Sequence, residues 1–177
     1  MFPSPVADEA ITSLVYAADG LLVGTTTALG GTGVTPSQAS GAVFLWNPAT
    51  QSLVRTIVPL KGQRVWGGLV STPWGVFGAS RRAVFRLDPA SQAVAVRVFN
   101  PRAGQGAWGS LTHMYAGDGH LYLVTGPGQL YLVDPKTLQV KPIFWGAEQA
   151  ALMGSSLYFS AQDSVQLWRA PLAKLIP

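Results

Sequence analysis

The sequence predicts an all-β protein made of β-propeller blades, and three observations lead there. One phrase occurs three times, as "AVFLWNPATQSLVRTIV" (42–58), "AVFRLDPASQAVAVRVF" (83–99) and "QLYLVDPKTLQVKPIF" (129–144). In each copy two apolar stretches of period two flank an Asx-Pro turn, the pattern of paired half-buried strands. The chain also holds 20 Gly and 13 Pro, which suits many short strands joined by turns better than helices.

The turn dipeptides Asn47-Pro48, Asp88-Pro89 and Asp134-Pro135, with a weaker Ala170-Pro171, follow one another at intervals of 41, 46 and 36 residues. That spacing is a propeller blade's. The first unit reads as four strands, "ITSLVYA", "LLVGTT", "AVFLW" and "LVRTIV". The second reads "GGLVS", "GVFGA", "AVFRL" and "AVAVRVF", and the third "LTHMYA", "HLYLVTG", "QLYLVD" and "LQVKPIF". The fourth offers "AALMG", "LYFSA" and "VQLWR" but no clear outer strand. Asp19-Gly20 and Asp118-Gly119 suit tight hairpins between inner and second strands.

The Asx-Pro phrase is the hairpin from third to outer strand. The residue before Pro is held extended and Pro sets the bend. The Thr or Ser beyond it is expected to satisfy the freed backbone groups. The blades therefore run over about 11–60, 65–100, 108–146 and 149–172, after an N-terminal extension (1–10) and before a tail (173–177).

These turns and strands resemble the bacterial β-propeller superfamily with D-P-x-T/S blade turns, the PQQ-like, NHL-like and kelch-like repeats. The resemblance covers residues 11 to 172 and identifies no single family. It implies the fold and a habit of binding on one face, and supplies no catalytic residue. The tryptophan-docking signature of PQQ enzymes and a Trp-Asp dipeptide are both missing.

Four blades make either a closed four-bladed ring or part of a larger one. A mean hydropathy of +0.27 favours blade faces that are covered by something else. Neither end offers a good edge strand, because Pro171 and Pro177 interrupt one and Pro3 and Pro5 the other. The expectation is a homo-oligomer, most simply a two-fold dimer with eight blades, or a missing part of a larger propeller.

Composition narrows the function. The 177 residues suffice for one domain, and 48% apolar against 11% charged residues exclude disorder. With no Cys there is no disulfide framework, thiolate site or thiol nucleophile. Net charge is +4 without a Lys/Arg cluster, so nucleic acid is not expected. No apolar run approaches the roughly 20 residues of a membrane helix, and "MFPSPVADEA" shows no signal peptide. The compartment is left open, and no cofactor or metal is expected.

Sorting loops by blade side gives an asymmetry. Loops leading into inner strands, and from second to third strands, collect Lys61, Arg64, Arg81, Arg82 and Arg102 against Glu148 and Asp163. The opposite side collects Asp19, Asp88, Asp118 and Asp134 against Lys136. A basic side attracts anions through its local field, although turn Asp residues also serve turn geometry.

Trp66-Gly67, Trp108-Gly109 and Trp145-Gly146 recur where the chain enters an inner strand. Three indoles at one channel mouth can stack on sugars and donate to hydroxyls, or plug the gaps between blades. Trp46, Trp74 and Trp168 read as packing residues. The insertion "TTTALGGTGVTPSQASG" (25–41) lacks the Lys-Ser/Thr of a phosphate loop. It is loosely similar to a Gly-rich loop of bacterial propellers associated with carbohydrate processing. His113, on an inner strand, is the one weak catalytic candidate; His120 follows a turn.

The reading is a binding or scaffold module that presents a basic, Trp-bearing face to an acidic glycan or a protein. Its ligand-binding candidates are Arg64, Trp66, Arg81, Arg82, Arg102, Trp108 and Trp145. The alternatives are a polysaccharide lyase or hydrolase with its site at the channel mouth, and a purely structural segment of a larger propeller. The lean is away from an enzyme, since the basic side carries so few acids.

Overall fold

The computed structural model describes residues 5–30, 35–100, 112–125, 128–161 and 165–176, with the Glu148 side chain left out. Its strands form four antiparallel sheets, each a meander in chain order. The first sheet holds β1 (Ala10–Tyr16), β2 (Leu22–Thr27), β3 (Val43–Asn47) and β4 (Ser52–Ile57). The second holds β5 (Gly67–Thr72), β6 (Gly75–Ala79), β7 (Ala83–Asp88) and β8 (Ala93–Val98). The third holds β9 (His113–Gly117), β10 (His120–Thr125), β11 (Gln129–Val133) and β12 (Val140–Trp145). The last holds β13 (Ala147–Met153), β14 (Ser156–Ala161) and β15 (Leu167–Pro171), and the chain continues into the single-turn α1 (Leu172–Leu175).

Period-two alternation gives each blade two apolar faces, and three cores fill the seams between successive blades. Val23, Val43 and Leu45 of blade 1 meet Trp66, Val76 and Phe85 of blade 2. Phe77 and Val84 on blade 2's other face meet Leu121, Leu123 and Tyr131 of blade 3. Tyr122, Leu130 and Leu132 on blade 3's other face meet Leu157 and Phe159 of blade 4.

Pairing register makes the blades comparable residue by residue. Gly24 pairs with Phe44, Gly78 with Phe85, Leu123 with Tyr131 and Phe159 with Trp168. An aromatic residue therefore stands at one third-strand position in every blade. In blades 1 and 2 its ring lies over a glycine. A Cβ on Gly78 would fall 2.5 Å from the Phe85 ring and 2.8 Å from Leu69, and a Cβ on Gly24 would clash with Phe44 and Leu14.

The Asx-Pro turns are held chiefly by the Asx side chain. Asn47 Oδ1 accepts from the N–H of Ala49 (2.9 Å) and Thr50 (3.2 Å), and Asp134 Oδ1 from those of Lys136 (2.8 Å) and Thr137 (2.9 Å). Asp88 does the same with Ala90 and Ser91, and also accepts from Ser91 Oγ at 2.7 Å. The hydroxyls were expected to lead here; they act second, as when Thr137 Oγ1 accepts from Gln139 N at 3.3 Å. Each turn closes on a left-handed residue, Gln51, Gln92 or Leu138, with φ of 52°, 56° and 58°.

Ala170-Pro171 does not correspond to those turns in register. Leu157 pairs with Ala170 as Val76 pairs with Leu87, so Pro171 stands where Asp88 stands. Lacking an Asx carboxyl, the chain passes into α1 instead. Leu172 is fully buried there, its N–H bonded to Ser155 O at 2.9 Å. Its side chain belongs to the blade 3–4 core.

Inner strands pack in succession, β1 on β5, β5 on β9 and β9 on β13. Among the described residues β13 does not pack back on β1 in that way, so the four blades form an open arc. The outward face of blade 1 leaves Ile11, Leu14 and Tyr16 exposed, and that of blade 4 leaves Met153 and Leu167 exposed.

Candidate functional site

A cavity of about 300 Å³ opens where β1, β5 and β9 begin, on the inner edge of the arc. Thr12, Ser13, Trp66, Thr112, His113 and Tyr115 line it. The Thr12 hydroxyl donates to Trp66 O at 2.5 Å and Thr112 Oγ1 to Ala79 O at 3.3 Å, which ties three blades together around the opening. Ser13 Oγ accepts from Leu69 N at 3.3 Å. Gly68 adopts φ +60° with a would-be Cβ 2.7 Å from Thr112 O, so only glycine lets β5 approach β9 this closely.

Two residues of this lining carry a nitrogen that is buried without a hydrogen-bond partner among the described residues, Nε1 of Trp66 and Nε2 of His113. Buried polar atoms are normally satisfied, so an ordered water is the partner that these two call for. Burial pushes the Tyr115 phenol above the ordinary tyrosine value, against a hydrogen bond from Ala150 N–H, which keeps it protonated. The described lining carries no carboxylate.

Next to this cavity the β6–β7 turn leaves Ala79 and is closed by Ser80, whose Oγ accepts from Ala83 N at 3.0 Å and Arg82 N at 3.4 Å. That turn holds Arg81 and Arg82 exposed. Arg64, exposed in the β4–β5 loop, is partly committed: its Nη2 donates to Ala28 O at 2.7 Å. Asp8 and Glu9 precede β1 on the same side and dilute the basic balance expected there. Glu9 is buried and accepts from the Thr26 hydroxyl.

The three Trp-Gly indoles do not gather at one mouth. Trp66 is fully buried in the blade 1–2 core, edge-on to Phe85 at 5.3 Å, so it offers the cavity no stacking face. Trp145 ends the outer strand β12, 41% exposed and edge-on to Tyr131 at 6.4 Å. Trp108 and Arg102 lie outside the described residues, as do Asp163 and residues 31–34 of the Gly-rich insertion. Its first residues, 25–27, belong to β2, and its two ends are pinned on the β4–β5 loop by Ala28 N–Arg64 O (2.7 Å) and Gly41 N–Gln63 O (2.9 Å).

Trp74 departs from the packing role expected of it. It is 41% exposed in the β5–β6 hairpin and lines a second cavity, of about 290 Å³, with Asp19 and Asp88 on the opposite side of the arc. Its place between Thr72 and Gly75, at the tip of a two-residue hairpin, was the available sequence signal.

The chain matches no protein-family model and no curated protein. Solved structures do match. The extracellular domain of BT4673 from B. thetaiotaomicron, described as a one component system, is similar with a TM-score of 0.67 at 12% identity, over 92% of this chain and 20% of that one. This is a β-propeller-like fold. The WD40 domain of Neurospora crassa Pan2 is similar with a TM-score of 0.61 at 8% identity, over 94% of this chain and 52% of that one. The computationally designed Ika4 protein is similar with a TM-score of 0.59 at 14% identity, over 97% of this chain and 99% of that one. The arc thus spans a fifth of the first, half of the second and nearly all of the third.

Proposed function

We propose that this propeller-like chain is a binding module that takes an acidic glycan at the inner cavity and the adjoining Arg81–Arg82 turn. The observation that carries the reading is the inner cavity itself, lined by Thr12, Ser13, Thr112 and His113 with no carboxylate in the described lining, beside the exposed Arg81–Arg82 turn. Hydroxyls of Thr12 and Ser13 in the lining suit a ligand with several oxygens, and the exposed guanidinium groups of the next turn suit carboxylates. The propeller-like neighbours support a binding or scaffold role in general. The Asx-Pro blade turns support kinship with the bacterial PQQ-like, NHL-like and kelch-like repeats.

Calorimetric titration of the full chain with an oligogalacturonate, against a neutral oligosaccharide of equal length, tests this. The acidic sugar is expected to bind and the neutral one to bind at least about tenfold more weakly. His113→Ala and the double change Arg81→Ala with Arg82→Ala should each weaken binding more than Lys136→Ala does at matched salt. Failure of the acidic sugar to bind, or equal losses in all three variants, overturns the reading.

A further inference from the structure

Each of blades 2, 3 and 4 turns one face toward the blade before it, and register identifies the same face in blade 1. The row Leu69, Gly78 and Phe85 of blade 2 corresponds to Leu14, Gly24 and Phe44 of blade 1. In blade 2, Leu69 and Phe85 are part of the core shared with blade 1. In blade 1 no blade covers the equivalent row: Phe44 is buried, on the face where the Thr56 hydroxyl donates to Pro5 O, while Leu14 is 54% and Tyr16 61% exposed.

The other end of the arc carries the complement. Arg169 pairs with Tyr158 as Arg86 pairs with Phe77, so the two arginines hold one position in blades 4 and 2. Arg86 reaches across to the next blade, where Nη1 donates to Pro135 O at 3.3 Å and Lys136 O at 3.5 Å. Arg169 has no next blade. Its Nε donates to Ser156 Oγ at 3.1 Å and its guanidinium lies 6.0 Å over the Tyr158 ring, beside Met153 and Leu167, 67% and 74% exposed.

Blade 1 supplies what Arg169 lacks. The Asn47 turn is built like the Asp134 turn, with Oδ1 accepting from the residues two and three further on, so Pro48 and Ala49 hold the places of Pro135 and Lys136. We propose that a second copy of this chain covers the exposed parts of both outward faces, the last blade of each copy seated on the first blade of the other. Arg169 then donates to the Pro48 and Ala49 carbonyls of its partner, and the apolar rows of blade 1 meet Tyr158, Met153 and Leu167. Each copy carries both halves of the contact, so two-fold pairing forms both seams at once and closes the arrangement. The arc covers 52% of the Pan2 WD40 domain, so two arcs have the extent of one such propeller.

Sedimentation equilibrium of the full chain tests this, with two chains of 18.7 kDa as the expected species. Arg169→Glu is expected to raise the dimer dissociation constant by about tenfold or more. Both Arg169 and Ala49 are exposed, so these changes leave the fold intact, which far-UV circular dichroism verifies. Adding Ala49→Arg to Arg169→Glu should restore the dimer through an ion pair across the same seam. A monomer at high micromolar concentration overturns the proposal and leaves the faces to further blades of a longer protein. An open series of larger oligomers, a dimer indifferent to Arg169→Glu, or no rescue by Ala49→Arg also overturns it.

Discussion

Arg86 of β7 donates from Nη1 to the carbonyl oxygen of Pro135, 3.3 Å away and 49 residues along the chain, and so stitches blade 2 to the turn of blade 3. Its carbon stem lies between two blades while the head satisfies turn carbonyls, a division of labour that suits arginine's planar fork. Arg86→Ala should therefore lower stability by about 1 kcal/mol, the worth of a partly exposed charge-assisted bond. Urea denaturation is the measurement. Arg86→Lys should fall between the two, because it keeps the charge but loses the fork; equal stability of all three would mean that the contact carries no weight.

The ring of Phe85 lies on Gly78, so Gly78→Ala puts a methyl 2.5 Å from that ring and 2.8 Å from Leu69. Phe85 is fully buried in the blade 1–2 core, with the partly buried Leu69 packed against that core, so the ring has little room to swing away. A loss of about 1–3 kcal/mol is expected, the usual cost of overpacking. Pairing the change with Phe85→Leu should recover part of it; a larger loss in the double variant would argue against the clash.

Gln92 and Leu138 hold the same left-handed place in two blade turns, with φ of 56° and 58°. A side chain there costs about 1–2 kcal/mol of backbone strain, offset by the greater entropy of an unfolded glycine. Gln92→Gly should leave stability unchanged or raise it by up to about 1 kcal/mol. Leu138 is only 4% exposed in the blade 2–3 core, so Leu138→Gly should lose about 2 kcal/mol or more. Thermal melts of the two variants should move in opposite directions, or the first should not move.

Hydrogen bonding by Thr137 N–H, joined by that of Lys136, holds the Asp134 carboxyl below the ordinary aspartate value against the opposing effect of burial. A depressed folded value means that the contribution is complete above the ordinary value and is lost as pH falls through the folded one. Asp134→Asn keeps the acceptor oxygen, as Asn47 shows in blade 1. The variant should match the parent near neutrality and lose less stability on acidification below about pH 4. Denaturation midpoints at neutral and acid pH decide it; parallel losses in both proteins would detach the acid sensitivity from this turn.

The strands and the blade turns were legible because their causes are local. "AVFRL" alternates whatever surrounds it, and Asp88 bonds backbone groups only two and three residues away. The missing outer strand of the fourth unit was visible for the same reason, since Pro171 and Pro177 remove ladder donors in any context.

What depends on distant residues was not legible. Period two says which side chains share a face, but not whether another blade covers it. Leu69 and Leu14 hold the same register position, yet one is packed and the other bare. Trp66, with the same Trp-Gly signature as Trp145, is buried because the blade 1–2 seam closes over it, while Trp145 on an outer strand meets solvent. The one-residue offset that puts Pro171 where an Asx belongs appears only in cross-strand pairing, and burial of Leu172 beneath it only in packing. The candidate site is of this second kind: Thr12, Trp66 and His113 lie far apart in sequence, and only the stacking of three inner strands brings them to one cavity.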